Sequence, residues 1–117
     1  MNVKIYKNKD FTEIVICTEK LDDHIALVLK SKLVLTASKG EKNIILDARE
    51  CIECDMAGIS AFLVADRLCK NANGTFVVTG INDNVYQLIK VAQLENVLNM
   101  AENISIAEQM IKTQERA

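Results

Sequence analysis

The chain has 117 residues, which is enough for one domain over residues 1–117 and too few for two ordinary ones. Half of the residues are apolar and 26% are charged, as in globular proteins, and no Pro-rich, Gly/Ser-rich or highly charged segment interrupts them. A formal net charge of -2 and few aromatic residues exclude the basic stripe and stacking platform that nucleic-acid binding requires.

The amino-terminal part of the chain predicts a β-hairpin followed by a helix. Residues 3–7 alternate between apolar and polar, residues 13–17 form a β-branched run, and turn-forming residues separate the two. From Leu21 the apolar residues recur at helical spacing, and Lys39 and Gly40 end that pattern.

The remainder alternates between short apolar runs of strand length and segments of helical spacing. The predicted elements are, in order, strand 43–48, helix 57–70, strand 75–79, helix 85–92, strand 96–100 and helix 104–112. Ser105 is the expected N-cap of the last helix.

This order of elements predicts an α/β fold. Two strands followed by alternating helices and strands give a mostly parallel sheet of about five strands, with one antiparallel edge strand and about four helices covering its faces. Sites in such folds lie at the carboxyl ends of the strands. The loop of residues 48–58, ARECIECDMAG, leaves one of these ends and leads into the second helix. We therefore expect the functional site in this loop.

Cysteine chemistry offers one candidate site. The cysteines are Cys17, Cys51, Cys54 and Cys69. Since no leader sequence precedes the first strand, we interpret them as reduced thiols. Cys51 and Cys54 form a C-x-x-C pair before a helix, which is a redox arrangement, but Glu50, Glu53 and Asp55 oppose a thiolate with their negative charge. Inert small apolar residues are the alternative interpretation.

No catalytic or metal-binding arrangement is recognisable. His24, the only histidine, stands beside two aspartates at a helix start and fits a solvated or capping residue. The loop carboxylates Asp47, Glu50, Glu53 and Asp55 lack the ligand spacing of a calcium loop, so we interpret them as surface charges, with Asp55 as the N-cap of the second helix. We expect a protein that is not an enzyme and that needs no metal or cofactor.

The predicted second helix is apolar on two faces. Small residues such as Ala57 and Ala61 form one stripe, whereas Ile59, Phe62 and Leu63 form the other. Either Ile59 and Phe62 are buried beneath a neighbouring helix, or they are exposed beside the loop and form a protein-docking patch. The sequence leaves both alternatives open.

Several short motifs occur in an order that is typical of one family. They are TEKLDDHIA at residues 18–26, IILD at 44–47, CDMAGI at 54–59 and GINDNV at 80–85. Leu21 and Asp22 match a Gly-x-Leu-Asp segment in which Glu19 replaces the glycine, and Gln93 replaces a glycine that is usual in the turn after the third helix. Residues 14–111 therefore resemble the STAS domain of anti-sigma factor antagonists.

The resemblance implies a regulatory protein that binds an anti-sigma factor and so frees a sigma factor for transcription. In that family the loop reads Asp-Ser-Ser-Gly-Leu, and the anti-sigma factor, itself a kinase, phosphorylates the second serine and is then released. Met56 and Ala57 replace the two serines, so the usual switch is missing, and Ser60 is an unsuitable substitute. The implied docking surface is the loop and helix at residues 53–63, and the implied partner-binding residues are Asp22, Asp55, Met56, Ala57, Gly58, Ile59 and Phe62.

Two other functions stay open at this point. A STAS-like domain can serve as a subunit of a transporter or signalling assembly, and a thiol-redox protein would use Cys51 and Cys54. In each case we expect no nucleic-acid partner. Lys, Asp or Asn residues break every apolar run well short of a membrane span, so we expect no membrane insertion and a soluble, cytoplasmic protein.

Overall fold

The computed structural model, which describes residues 2–116, is an α/β fold built on a mixed five-stranded sheet. The strands are β1 (Val3–Lys7), β2 (Thr12–Ile16), β3 (Lys20–Leu21), β4 (Ile44–Asp47), β5 (Glu53–Cys54), β6 (Phe76–Thr79) and β7 (Asn99–Ala101). The helices are α1 (Asp23–Ser38), α2 (Met56–Asn71), α3 (Asp83–Val91) and α4 (Ile104–Arg116).

The sheet has the strand order β1-β2-β4-β6-β7. The edge strand β1 pairs with β2 in antiparallel orientation, and the other neighbours are parallel. The predicted fold class is thus confirmed. The pair β3 and β5 forms a second small parallel sheet that the sequence did not reveal, because strands of two residues carry no periodic pattern.

Helices cover both faces of the sheet, which explains the uninterrupted apolar runs of its inner strands. Leu46 and Val78 point into the core beneath α1, α2 and α3, whereas their neighbours Ile45 and Val77 point to the opposite face, where Ile111 of α4 packs. Successive side chains of a strand point to opposite faces, so a strand covered on both sides is apolar at consecutive positions, as residues 44–46 and 76–78 are.

Side-chain caps begin all four helices. Asp22, Asp55, Asn82 and Asn103 each accept a hydrogen bond from the amide three residues further on, at 2.9–3.2 Å. Such a cap stabilises a helix by about 1 kcal/mol relative to alanine. The predicted cap Asp55 is confirmed. The assignment of Ser105 was wrong, since Asn103 caps α4 and Ser105 lies within its first turn.

Gln93 adopts a left-handed backbone conformation with a φ of 61° just after α3. The next amide, of Leu94, donates to the carbonyl of Ile89 at 3.0 Å and closes the helix end. Glycine is the usual residue at such a position because it has no Cβ to crowd the backbone. This left-handed backbone explains why the family that the sequence resembles usually has a glycine where this chain has Gln93.

Element boundaries differ from the predicted ones by a few residues. The last strand comprises Asn99–Ala101 rather than residues 96–100, because residues 95–97 form a turn. Leu21 lies in β3, one residue before the cap of α1, and not in the helix. Within residues 2–116, none of the helices combines the length and the apolar character needed to cross a bilayer.

Candidate functional site

The candidate site lies where the loop after β4 meets the starts of α1 and α2. The amides of Ile52 and Glu53 donate to the carbonyl of Glu19 at 2.7 and 2.9 Å, and the amide of Asp55 donates to the carbonyl of Leu21 at 3.2 Å. These bonds clamp the loop onto the segment before α1. Because β3 and β5 are parallel and in register, the N-caps of α1 and α2 follow directly from paired residues.

The predicted site residues at the start of α2 divide into exposed and buried ones. Asp55 is exposed and Met56 is 51% exposed, while Ala57 is half-buried and packs against the core. Ile52, in the preceding loop, is 50% exposed. Sequence reasoning missed Ile52, because one apolar residue in an irregular loop belongs to no periodic pattern.

Ile59 and Phe62 lie in the hydrophobic core and are fully buried. The hypothesis that they form an exposed docking patch was wrong. The physical reason is the position of α2, which packs against both α1 and α3 as well as against the sheet. A helix with neighbours on three sides needs an apolar arc wide enough to include both stripes of the predicted pattern.

Gly58 is buried where α2 begins and has a packing role. A Cβ at this position would lie 2.8 Å from Leu21 Cγ and closer still to Cys54 Sγ. Ordinary van der Waals contact between carbon atoms requires a considerably longer distance. The absence of a side chain thus allows the start of α2 to lie against the pair of β3 and β5, and Gly58 presents no surface to a partner.

Asp47 and Arg49 form an ion pair at the base of the loop. The guanidinium of Arg49 donates to Asp47 at 3.0–3.1 Å, and the Arg49 amide also donates to the Asp47 carboxylate at 3.1 Å. Asp47 is buried, so its interpretation as a surface loop charge was wrong. The pKa of Glu13 is raised above its ordinary value. Partial burial is the largest cause and the nearby Asp47 adds to it, while Arg49 offsets part of the increase. This cluster holds the loop at the carboxyl end of β4.

The thiols of the C-x-x-C pair are poorly suited to redox chemistry. Cys51 is buried, and its thiol donates to the carbonyl of Glu53 at 3.2 Å. Burial raises the pKa of Cys51. Burial, together with Cys51 and Asp55 nearby, raises the pKa of Cys54 to about 12. A thiol must ionise to act as a nucleophile, and this environment favours the protonated form.

We therefore expect Cys51 and Cys54 to react slowly with a disulfide reagent at neutral pH. A pKa of about 12 for Cys54 leaves about one thiolate in ten thousand at pH 8, and that fraction grows tenfold with each further pH unit. Stopped-flow measurements with Ellman's reagent between pH 7 and pH 10 would compare the natural chain with the Cys51→Ser/Cys54→Ser double variant. A fast phase at neutral pH that only the natural chain shows would contradict the expectation, and unfolded protein provides the fully reactive control.

The described residues contain no grouping of three or more His, Cys, Asp or Glu side chains that could hold a metal ion. His24 is exposed at the start of α1, where its backbone amide donates to Asp23 at 2.9 Å. What distinguishes the site chemically is the half-exposure of two apolar side chains, Ile52 in the loop before β5 and Met56 directly after the cap Asp55. Such an arrangement suits contact with another polypeptide.

Comparison with known proteins gives a consistent family and fold. The family model described as "Mlab, STAS domain" matches residues 10–101. The structure is similar to that of a variant of RsbS from Moorella thermoacetica, with 21% sequence identity, a TM-score of 0.82 and full coverage of both chains. It is also similar to that of the anti-sigma factor antagonist SpoIIAA from Bacillus in its unphosphorylated form, with 16% identity and a TM-score of 0.73 over 98% of this chain and 99% of that one.

A third similar structure is that of a sulfate transporter family protein from Wolinella succinogenes, with 17% identity and a TM-score of 0.79 over 96% of this chain and 93% of that one. At these identities the likeness shows the fold alone. No curated protein matches the chain in sequence.

Proposed function

Because the chain belongs to the STAS domain family, whose members are regulatory binding domains, we propose that it is a protein-binding module of the anti-sigma factor antagonist type. Its partner docks on a surface that we call the docking rim, which consists of Ile52, Asp55, Met56 and Ala57 with Asp22 at its side. The observation that carries this proposal is the half-exposure of two large apolar side chains, Ile52 and Met56, at the carboxyl end of a parallel sheet.

Burial of these two side chains supplies the driving force for docking. Full burial of a methionine or isoleucine side chain contributes about 1.5–3 kcal/mol, and Ile52 and Met56 each still expose half of their surface. Asp22 and Asp55 directly follow the paired residues Leu21 and Cys54, and their carboxylates are held in place by capping bonds. The docking rim thus has a small apolar centre and an acidic border, which favours a partner with an apolar knob and a basic surround.

The buried members of the predicted site support the docking rim from beneath. Ile59 and Phe62 anchor α2 in the core, and Gly58 lets the start of α2 lie against Leu21 and Cys54. A partner does not touch these residues. Their role is to fix the height and angle at which Met56 and Ala57 meet the solvent.

The docking rim works without phosphorylation at residue 57. Ala57 is the second residue of α2, where a phosphate would meet the free amides of the first turn and the positive end of the helix dipole, but its methyl group accepts no phosphate. Ser60 is exposed one turn further on, beyond those free amides. Whereas SpoIIAA has been solved in phosphorylated and unphosphorylated forms, we propose a single, unphosphorylated form for this chain.

The alternative is that the same rim holds the domain in a transporter or signalling assembly. The fold shared with the Wolinella sulfate transporter family protein favours this second function. Both functions need an intact docking rim, so rim variants do not distinguish between them. The identity of the partner does: an anti-sigma factor supports the first function, and a transporter subunit supports the second.

We expect Met56→Lys to weaken partner binding at least about tenfold, because it places a strongly hydrated charge at the apolar centre of the rim. Val91→Lys is the matched control, since Val91 is 74% exposed at the far end of α3. A partner isolated from native lysate and identified by mass spectrometry would be purified and titrated against each variant by calorimetry. Equal affinity of Met56→Lys and the natural chain for the partner would contradict the proposal that the docking rim is the binding surface.

The same titration, repeated with ATP and magnesium, tests the absence of phosphorylation. Affinity should be unchanged by ATP, and intact-mass measurement should show no added phosphate. A phosphate that maps to Ser60 and lowers the affinity would show a displaced switch and would contradict the proposed single form.

A further inference from the structure

The outer edge of β1 has no partner strand. β1 stands at one end of the five-stranded sheet and pairs with β2 on its inner side only. It contains no proline, and its register with β2 is uninterrupted. Ile5 and Tyr6 in this strand are 39% and 50% exposed. A straight edge strand of this kind leaves a row of backbone amides and carbonyls to which a further strand can bind.

The hydrogen bonds to β2 identify the residues of β1 that present these groups. The amide of Cys17 donates to the carbonyl of Asn2 at 2.7 Å, and the amide of Asn8 donates to the carbonyl of Phe11 at 2.9 Å. In an antiparallel pair, residues that bond to the partner strand alternate with residues that do not. The even-numbered residues therefore bond to β2. The residues whose amides and carbonyls point away from the sheet are the odd-numbered ones, Val3, Ile5 and Lys7.

A groove of about 340 Å³ runs beside this free edge. It is lined by Val3, Lys4, Ile5 and Tyr6 of β1 and by Lys32 of α1. Because successive side chains of a strand alternate between the two faces, Ile5 lies on the same face as the buried Val3, and Lys4 lies on the other face with Tyr6. The edge thus combines unpaired backbone groups, apolar side chains and two cations.

The charge of the groove is positive. Lys7 forms an ion pair with Glu41 at 2.8 Å, whereas Lys4 and Lys32 form none with other residues that the structure describes. Glu13 of β2 lies two residues along that strand from the position opposite Lys4, so it leaves Lys4 unpaired. An acidic side chain that an added strand places opposite Lys4 would therefore meet a free cation.

From these features we propose that β1 binds an extended acidic segment of a partner protein, which adds a strand to the sheet. The outward backbone groups of β1 bond to the segment, its apolar side chains lie beside Ile5, and an acidic side chain faces Lys4. A second copy of β1 is a poorer occupant, because it would bring Lys4 and Lys32 of both chains into one groove. This inference does not rest on the docking rim, which lies at the start of α2.

Titration of the full chain with a short acidic peptide, followed by amide NMR shifts, tests the proposal. The probe is acetyl-Thr-Thr-Val-Glu-Val-Glu-amide, and we expect a dissociation constant of about 0.1–1 mM with shifts concentrated in residues 3–7. The same peptide with lysine in place of both glutamates is the matched control, and it should bind at least about tenfold more weakly at low ionic strength. Equal binding of the two peptides, or no binding of the acidic peptide at millimolar concentration, would overturn the proposal.

Removal of one outward amide separates strand addition from simple charge attraction. Ile5→Pro deletes the amide of Ile5 but leaves the bonds of Lys4 and Tyr6 to β2, so the chain should fold and bind the acidic peptide at least about tenfold more weakly. Ile5→Thr keeps the amide and the β-branched side chain, and its affinity should stay within about threefold of the natural chain. Equal affinity of these two variants would contradict strand addition.

Two further measurements complete the test. N-methylation of both valines of the peptide removes the same hydrogen bonds with the natural chain, so a folding defect of Ile5→Pro, visible by circular dichroism, does not prevent the comparison. An N-methylated peptide that binds as well as the parent would also overturn the proposal. Sedimentation equilibrium of the chain alone examines the other occupant: self-association that Ile5→Pro abolishes would assign the edge to a second copy instead.

Discussion

Replacing Phe62 with aspartate is expected to unfold the protein. Phe62 is fully buried within the core beneath α1, α2 and α3. Truncation of a buried phenylalanine alone costs about 3–5 kcal/mol, and a buried carboxylate without a partner adds a further penalty of several kcal/mol. Since a small domain is stable by only about 5–15 kcal/mol, the sum removes most or all of the folding free energy.

The matched control is Ser60→Asp, two residues earlier in the same helix. Ser60 is exposed, so the same negative charge remains in water there and should change the free energy of unfolding by no more than about 0.5 kcal/mol. Circular dichroism with urea titration would measure both variants. If Phe62→Asp kept a cooperative transition near that of the natural chain while losing its partner, Phe62 would belong to the docking surface after all.

The strands and helices of the sheet could be predicted because each has its own pattern. Residues 44–46 and 76–78 are uninterrupted apolar runs, and the structure places them in β4 and β6, which are covered on both faces. Asp55 was identifiable as an N-cap from its type and position alone. These are local properties, and the chain carries them regardless of what packs against it.

The sequence could not predict which elements pack against α2. That packing decides which of the predicted site residues are exposed. An apolar pattern defines the arc of a helix that avoids water but does not say whether a neighbouring helix or a partner protein covers it. Burial of Ile59 and Phe62 follows from the contacts of α2 with both α1 and α3. Exposure of Ile52 follows from the pairing of β3 with β5, two strands too short to leave a signal.

Residue 57 is a position where an added charge should affect partner binding and folding stability differently. Ala57→Glu should weaken partner binding by about a hundredfold while the fold is preserved. A carboxylate at the second residue of α2 lies beside free amides and the positive end of the helix dipole, so it stabilises the helix by about 0.3–1 kcal/mol. At the same place it puts charge and bulk next to Met56, at the centre of the proposed contact.

Ser105→Glu is the matched control for Ala57→Glu. Ser105 is the second residue of α4, whose cap Asn103 corresponds to Asp55 in α2, so both variants add the same charge at the same position of a helix. Both should melt at or slightly above the temperature of the natural chain, and only Ala57→Glu should lose affinity in a titration against the partner. Equal affinity of the two variants would mean that negative charge at the start of α2 does not disturb docking. The presence of alanine at residue 57 would then have no effect on the regulation of partner binding. A loss confined to Ala57→Glu would show that the partner senses charge at residue 57, the position that an alanine keeps permanently uncharged.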